Sequence, residues 1–241
     1  MNIALILSGG SGVRVGSSIP KQYIEVSGRP VITYCIKTLS AHEKVDAIWI
    51  VAEKEWQDKI SAWLKMYGLG AKVKGFSLPG ENRQLSILNG LEDIAGFAGS
   101  EDYVMIHDAA RPCLSSQMIS DCFDGVDGHD GVLPVLPMKD TVYMSTDGKT
   151  ISSLLNRQQI FAGQAPEVFV LGKYLDANRR LLEEKREMAD GSLCAAILVI
   201  NGSTEPAVLA GMDVAMIPGE EANFKITTRE DLERFRNLIE G

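Results

Sequence analysis

The chain has 241 residues, of which 45% are hydrophobic and 23% charged, and 24 Lys and Arg against 32 Asp and Glu leave a formal charge of −8. This is enough chain for a real core, with no basic footprint for nucleic acid and no apolar run of the roughly 18–20 residues that a membrane span needs. Cys35, Cys113, Cys122 and Cys194 are scattered with no CxxC spacing, and the start MNIALILSGG has no basic leader, so free thiols and a cytoplasmic location are expected.

Strand-length apolar runs alternate with helical periods along the first half. Ile3–Leu7 reads as a buried strand that runs into the glycine-rich stretch 8–16. Pro30 suits the first turn of a helix with Val31, Tyr34, Cys35 and Leu39 on one face. Ala47–Val51 is a second strand, and Trp56, Ile60, Trp63, Leu64 and Tyr67 trace the apolar stripe of a second helix. Asn82 is placed to cap a third helix, and Tyr103–Ile106 is a strand ending at His107-Asp108. Alternation of this kind predicts an α/β fold: a Rossmann-like, three-layer, doubly wound and mostly parallel sheet, with ligands at the carboxyl ends of the strands.

The pattern then changes. Gly131–Val135, Thr141–Met144 and Ile151–Leu155 are short extended runs, the last two joined by the turn signal Thr146-Asp147-Gly148. Two strands this short cannot bury a face alone, so residues of about 138–163 are expected to form an arm that packs on a partner subunit. Lys173–Met188 returns to helix, and Thr228-Arg229-Glu230-Asp231 is a capped helix start. Without repeats or linkers, 1–241 reads as one domain.

The stretch Gly9-Gly10-Ser11-Gly12-Val13-Arg14-Val15-Gly16 leaves a strand and lets backbone amides approach a phosphate. A dinucleotide fingerprint begun at Gly10 requires glycine at 15, where Val15 stands, and a Walker loop requires a Gly-Lys-Ser/Thr ending that this loop lacks. What remains is a loop followed closely by two cations, Arg14 and Lys21. That combination suits a nucleoside triphosphate, with amides on the phosphates and cations on the charge developing at the attacked phosphorus.

LSGGSGVRVGSSIPKQY resembles the signature of the cytidylyltransferases that make CDP-methylerythritol or CDP-ribitol. The resemblance recurs in order at Gly80-Glu81-Asn82-Arg83 with Ser86, at Ile106–Leu114, at Lys139-Asp140-Thr141, at Asn156-Arg157, at Gly163–Phe169 and at Asn223–Leu232. It implies transfer of CMP from CTP to a polyol phosphate, in a Mg²⁺-dependent homodimer joined through the arm. It also implies roles: Arg14, Lys21 and Lys225 as catalytic cations; Ser8, Gly9, Gly10, Ser11, Gly12, Gly80, Glu81, Arg83 and Ser86 on CTP. Asp108, Ala109, Arg111, Thr141 and Arg157 would serve the acceptor, the last two from across the dimer. Read without the resemblance, Glu81, Asn82 and Ser86 could only cap a helix, and Asp108 could do the same.

Three positions depart from the pattern. Tyr143 stands where most methylerythritol enzymes carry lysine, Asn201-Gly202 replaces a Thr-Asp pair, and the loop begins Ser-Gly-Gly rather than Ala-Ala-Gly. The acceptor half is therefore mixed: HDAARPCL resembles the methylerythritol branch, whereas IFAGQAPEVF and GMDVAMIPGEEANFKITT resemble the ribitol branch. Ribitol 5-phosphate is the leading expected acceptor and methylerythritol phosphate the alternative. A sugar-1-phosphate nucleotidyltransferase and a non-catalytic nucleotide-binding relative are the competing classes.

Overall fold

A computed structural model describes residues 1–10, 19–188 and 202–241, without the side chains of 184–188. Ser11, Gly12 and Arg14 of the loop, Cys194 and Asn201 lie outside the described residues.

The chain runs β1 (Asn2–Leu7), β2 (Glu25–Val26), β3 (Arg29–Pro30), α1 (Ile32–Ala41), β4 (Ala47–Val51), α2 (Lys54–Tyr67), β5 (Val73–Ser77), α3 (Arg83–Ala95) and β6 (Tyr103–Asp108). It continues α4 (Ser116–Gly125), β7 (Gly131–Pro137), β8 (Val142–Met144), β9 (Ser153–Leu155), β10 (Phe161–Gly163) and β11 (Glu167–Val170). The last elements are α5 (Leu171–Met188), α6 (Glu205–Leu209), β12 (Val214–Pro218) and α7 (Arg229–Glu240).

The central sheet has eight strands. β5, β4, β1 and β6 run parallel, β11 is antiparallel between β6 and β7, and β12 is parallel to the far side of β7. β10 pairs with the distal half of β7, on the same edge that β11 uses nearer its start. The mostly parallel, doubly wound expectation holds.

Alternation along β1 explains the layers. Ala4 and Ile6 join Ile36, Leu39, Ile60, Met118 and Ile119 on one face, while Ile3 and Leu5 join Ile87, Leu91, Ile94 and Tyr174 on the other. A smaller cluster of Val26, Val31, Ile226, Leu232 and Phe235 fastens α7 beside the first hairpin. No described helix is long and apolar enough to cross a membrane.

The path β1–β4–β5 moves to one side, and β6 then lies on the other side of β1. The loops after β1 and β6 therefore diverge and leave a crevice at their carboxyl ends, the usual ligand position in such sheets.

Pro30 departs from expectation. It pairs with Glu25 in a hairpin whose turn residues Ser27 and Gly28 have φ of 49° and 73°, and the helix begins only at Ile32. Two consecutive left-handed residues match the twist of a two-residue hairpin, so the turn captures Pro30 before the helix can. The turn signal at 146–148 closes a longer loop than expected, because Met144 pairs with Ser153. Asp147 organises that loop by accepting from the amides of Lys149 and Thr150, both at 2.8 Å. Gly148-Lys149-Thr150 lies here as a turn, with Tyr143 where a Walker loop would have its first glycine.

Candidate active site

A cleft of about 670 Å³ opens at the carboxyl ends of β1 and β6. It gathers Gly9, Gly10, Lys21, Gly80, Glu81, Arg83, Ser86, Asp108 and Lys225 from segments scattered over the chain. Gln22, Glu53, Asn82, Ala110 and Thr227 line it as well, and of these the sequence reading assigned none to ligand.

The glycine loop is shaped from below. Ser8 is buried, its amide bonds the carbonyl of Val51 at 2.9 Å, and its hydroxyl donates to Tyr23 Oη at 2.7 Å. Tyr23 stacks on Trp56 with ring centroids 4.0 Å apart, and burial pushes its phenol up to about 12. The Gln22 amide donates to the carbonyls of Ser8 at 2.6 Å and Gly10 at 2.8 Å. With both carbonyls turned toward Gln22, the intervening peptide is fixed in a shape that side-chain polarity alone does not reveal.

Gly9 lies against Pro79, where an added Cβ would meet the proline Cβ at 2.5 Å. Gln22→Ala is expected to raise the Michaelis constant for the nucleotide about tenfold, by loosening two hydrogen bonds each worth about 1 kcal/mol. Steady-state kinetics with the nucleotide varied would check this, and an unchanged constant would mean that the loop holds itself.

At the opposite wall, Asn82 Oδ1 accepts from the Leu85 amide at 2.9 Å and starts α3. Ser86 Oγ donates to the carbonyl of Asn82 at 2.8 Å and accepts from the Gly80 amide at 3.0 Å. Both side chains thus serve the helix start, while exposed Glu81 lines the cleft wall.

Asp108 is the centre of charge. Its carboxylate meets Arg83 Nη2 at 3.0 Å, Lys225 Nζ at 3.0 Å and Arg111 Nε at 3.5 Å. Burial raises its pKa, but the three cations outweigh burial and hold it well below the usual carboxylate range. Three cations on one carboxylate leave the cluster positive, and Lys21 enters the same cleft. Such a surface neutralises a polyanion.

Lys225 owes its position to its neighbours. Asn223 and Ile226 are fully buried, the Asn223 side chain bonds the Ala165 carbonyl at 2.8 Å, and the Ile226 amide bonds Ala110 O at 2.8 Å. Arg111 Nη1 reaches Asn223 O at 2.7 Å, so one arginine braces both Asp108 and the Lys225 loop. His107 is buried and donates from Nε2 to Arg111 O at 3.1 Å. Burial pulls its pKa down to about 4, which leaves it neutral and structural near pH 7.

Ala109 points away from the cleft. It is buried in the core and its amide bonds Leu7 O at 3.0 Å, leaving Ala110 to line the wall. Thr141 and Arg157 sit exposed on the arm, outside the cleft walls, with Arg157 Nη1 on Lys139 O at 2.8 Å. Gly202 leads directly into Ser203, which is buried on the sheet's other face. Among the described residues no three His, Cys, Asp or Glu side chains converge as a metal cage, and Asp108 is already neutralised by its cations.

The family model described as IspD, 2-C-methyl-D-erythritol 4-phosphate cytidylyltransferase, matches residues 2–240. The chain is 35% identical over 237 residues to the 2-C-methyl-D-erythritol 4-phosphate cytidylyltransferase of Rubrobacter xylanophilus, covering 95% of this chain and 91% of that one. It is 29% identical over 245 residues to the ribitol-5-phosphate cytidylyltransferase of Streptococcus agalactiae, covering 100% and 96%. The fold matches the crystal structure of 4-diphosphocytidyl-2C-methyl-D-erythritol synthase from Anaerococcus prevotii with a TM-score of 0.80 at 23% identity, over 100% of this chain and 96% of that one. With its glycine loop and cation cluster in one cleft and the family pattern running almost end to end, the chain belongs to the IspD family and is a cytidylyltransferase.

Proposed function

We propose that the chain transfers CMP from CTP to ribitol 5-phosphate, releasing pyrophosphate. The observation that carries the transfer chemistry is one cleft lined by Gly9, Gly10 and Lys21 together with Asp108, on which Arg83, Arg111 and Lys225 converge. An oxygen of the acceptor phosphate attacks the α-phosphorus, a new P–O bond forms, and the bond to pyrophosphate breaks in line. That oxygen is already anionic at neutral pH, so no general base is needed. The work of the site is to bring two polyanions together and to stabilise charge on the pentacoordinate phosphorus.

Lys21, with Arg14, lies on the α-phosphate, and Lys225 bridges it to the acceptor. The glycine loop, from Ser8 through Gly9, Gly10, Ser11 and Gly12, serves the triphosphate. Glu81, with Gly80, Arg83 and Ser86, reads the cytosine, whose amino group a carboxylate or carbonyl can accept and which uracil lacks. Mg²⁺ would accompany the triphosphate and offset its charge.

The arm presents Tyr143, Met144, Ile151, Leu154 and Phe161 exposed, an apolar surface suited to a second copy of the chain. Thr141 and Arg157 then reach the acceptor phosphate in the partner's cleft, with Asp108 and Arg111 on the near side. A cytoplasmic homodimer is the working form.

Ribitol 5-phosphate is supported by full-length similarity to enzymes named for it and by Tyr143 in place of a lysine on the arm. The higher identity to a methylerythritol enzyme favours the second reading, 2-C-methyl-D-erythritol 4-phosphate. Pyrophosphate release with CTP and Mg²⁺, comparing the two acceptors, decides between them. A kcat/KM ratio above about 100, near 2.7 kcal/mol in transition-state binding, assigns the acceptor, and turnover of neither defeats both. In the same assay Arg157→Ala should raise the acceptor KM at least tenfold more than the CTP KM. Equal effects on both would remove Arg157 from the acceptor site.

A further inference from the structure

Behind Arg83 the structure buries a second carboxylate. Glu167 opens β11, pairs in register with Ile106 of β6, and is 7% exposed. It therefore shares the sheet face of Phe169 and lies beneath the start of α3. Its Oε2 is buried without a hydrogen-bond partner, and so is Nη1 of Arg83. The two orphans carry opposite charge and lie within electrostatic reach of each other, which makes them complementary.

We propose that Glu167 is a positioning residue for the transfer reaction, holding the inner edge of the Arg83 guanidinium while Asp108 holds the outer edge. The outer contact, Nη2 to Asp108 at 3.0 Å, does not by itself fix the guanidinium plane, because the other nitrogen is left to find its own partner. With carboxylates on both edges the plane is set, and Arg83 presents one orientation to the nucleotide. The role rests on the reading of the cleft as the CTP site.

The charge balance supports it. Burial pushes the Glu167 carboxyl up to about 7, and Arg83 is the strongest of the charges pulling it back. The groups acting on it are Arg83 from α3, Asp108 at the end of β6 and Arg111 just beyond it, Ser203 before α6 and Tyr174 of α5, with Cys122 of α4 on the opposite sheet face. Its carboxyl is thus divided between protonated and ionised near neutral pH, and the inner anchor on Arg83 weakens as pH falls.

The test compares wild type, Glu167→Gln and Arg83→Lys, singly and combined. Glu167→Gln keeps the shape and removes the charge. It should raise the CTP KM about tenfold, with kcat within about threefold and the acceptor KM unchanged. The wild-type CTP KM should rise from pH 8 to pH 6 more steeply than that of Glu167→Gln, the titration of the triphosphate being common to both. In the Arg83→Lys background the Glu167→Gln effect should shrink to within about twofold. Additive effects, parallel pH profiles, or an equal loss in every kinetic parameter would overturn the proposal. If Arg83→Lys itself leaves the CTP KM unchanged, the placement of Arg83 on the nucleotide fails and this role fails with it. Should Glu167→Gln not fold, Glu167→Asp keeps the charge, and recovery of the wild-type pH profile in that variant is the outcome that supports the role.

Discussion

Lys21→Ala should lower kcat about 10²–10³-fold while leaving the affinity for CTP within about tenfold. The residues on either side of Lys21 are held by bonds that do not involve its ammonium. The Tyr23 amide closes a tight turn on the Pro20 carbonyl at 2.8 Å, and the side chains of Gln22 and Tyr23 are committed to Ser8 and Gly10. Truncating Lys21 removes a cation from the cleft while these bonds of Pro20, Gln22 and Tyr23 remain. A cation that serves mainly the charge gathered at the pentacoordinate phosphorus acts on the transition state more than on bound CTP, so its loss falls on kcat. Single-turnover pyrophosphate release together with equilibrium CTP binding separates the two. A rate close to wild type would end the assignment, and a loss confined to CTP affinity would make Lys21 a ground-state binder.

Asp108→Asn is the second large effect. The substitution preserves shape but leaves Arg83, Arg111 and Lys225 converging on a neutral amide. Removing one partner of a buried charge cluster typically costs about 3–5 kcal/mol. The low end, about 3 kcal/mol, is expected here because Arg83 and Lys225 each keep 37% of their side chains in solvent. The sign with pH follows from the depressed pKa of Asp108. Its contribution is fully present above the unfolded value, near 3.9, and is lost only as pH falls toward the lower folded value. Across pH 5–8 wild type should therefore show no loss from this group, while the variant is weakened throughout. Urea unfolding at pH 5, 6, 7 and 8 tests the point, and equal midpoints for the two proteins would reduce the cluster to a solvated surface pair. The kcat/KM of the variant should also fall at least 100-fold, since Lys225 loses the anchor that aims it.

The parts of the fold that were legible in the sequence are those governed by local chemistry. The Asn82 cap and the Thr228–Asp231 capping box both form as read, because each needs only a side chain and amides three residues away. The strands at Ala47–Val51 and Tyr103–Ile106, the latter extending to Asp108 in the fold, were legible because buried parallel strands are nearly continuous apolar runs. Pro30 misled because a proline is equally acceptable at a hairpin edge and in a first helical turn. The pairing of β10 and β11 in succession along one edge of β7, with β12 on the other, left no local signal. Short strands carry little periodicity, and their partners are chosen by the sheet.

The cleft divides in the same way. Through the family resemblance the sequence pointed to the glycine loop with Lys21, to Glu81 and Arg83, to Asp108 and Arg111, and to Lys225 as parts of one site, because the motifs recur in a single order. The tertiary structure decided which of these groups touch. It placed Arg83, Arg111 and Lys225 on the two oxygens of Asp108, moved the lining role from Ala109 to Ala110, gave Gln22 the loop carbonyls, and buried Glu167. The physical reason is range. Caps and strand runs are written within a few residues, whereas a charge cluster drawn from positions 83, 108, 111 and 225 exists only after the sheet has brought the carboxyl end of β6 beside the start of α3 and the α7 cluster.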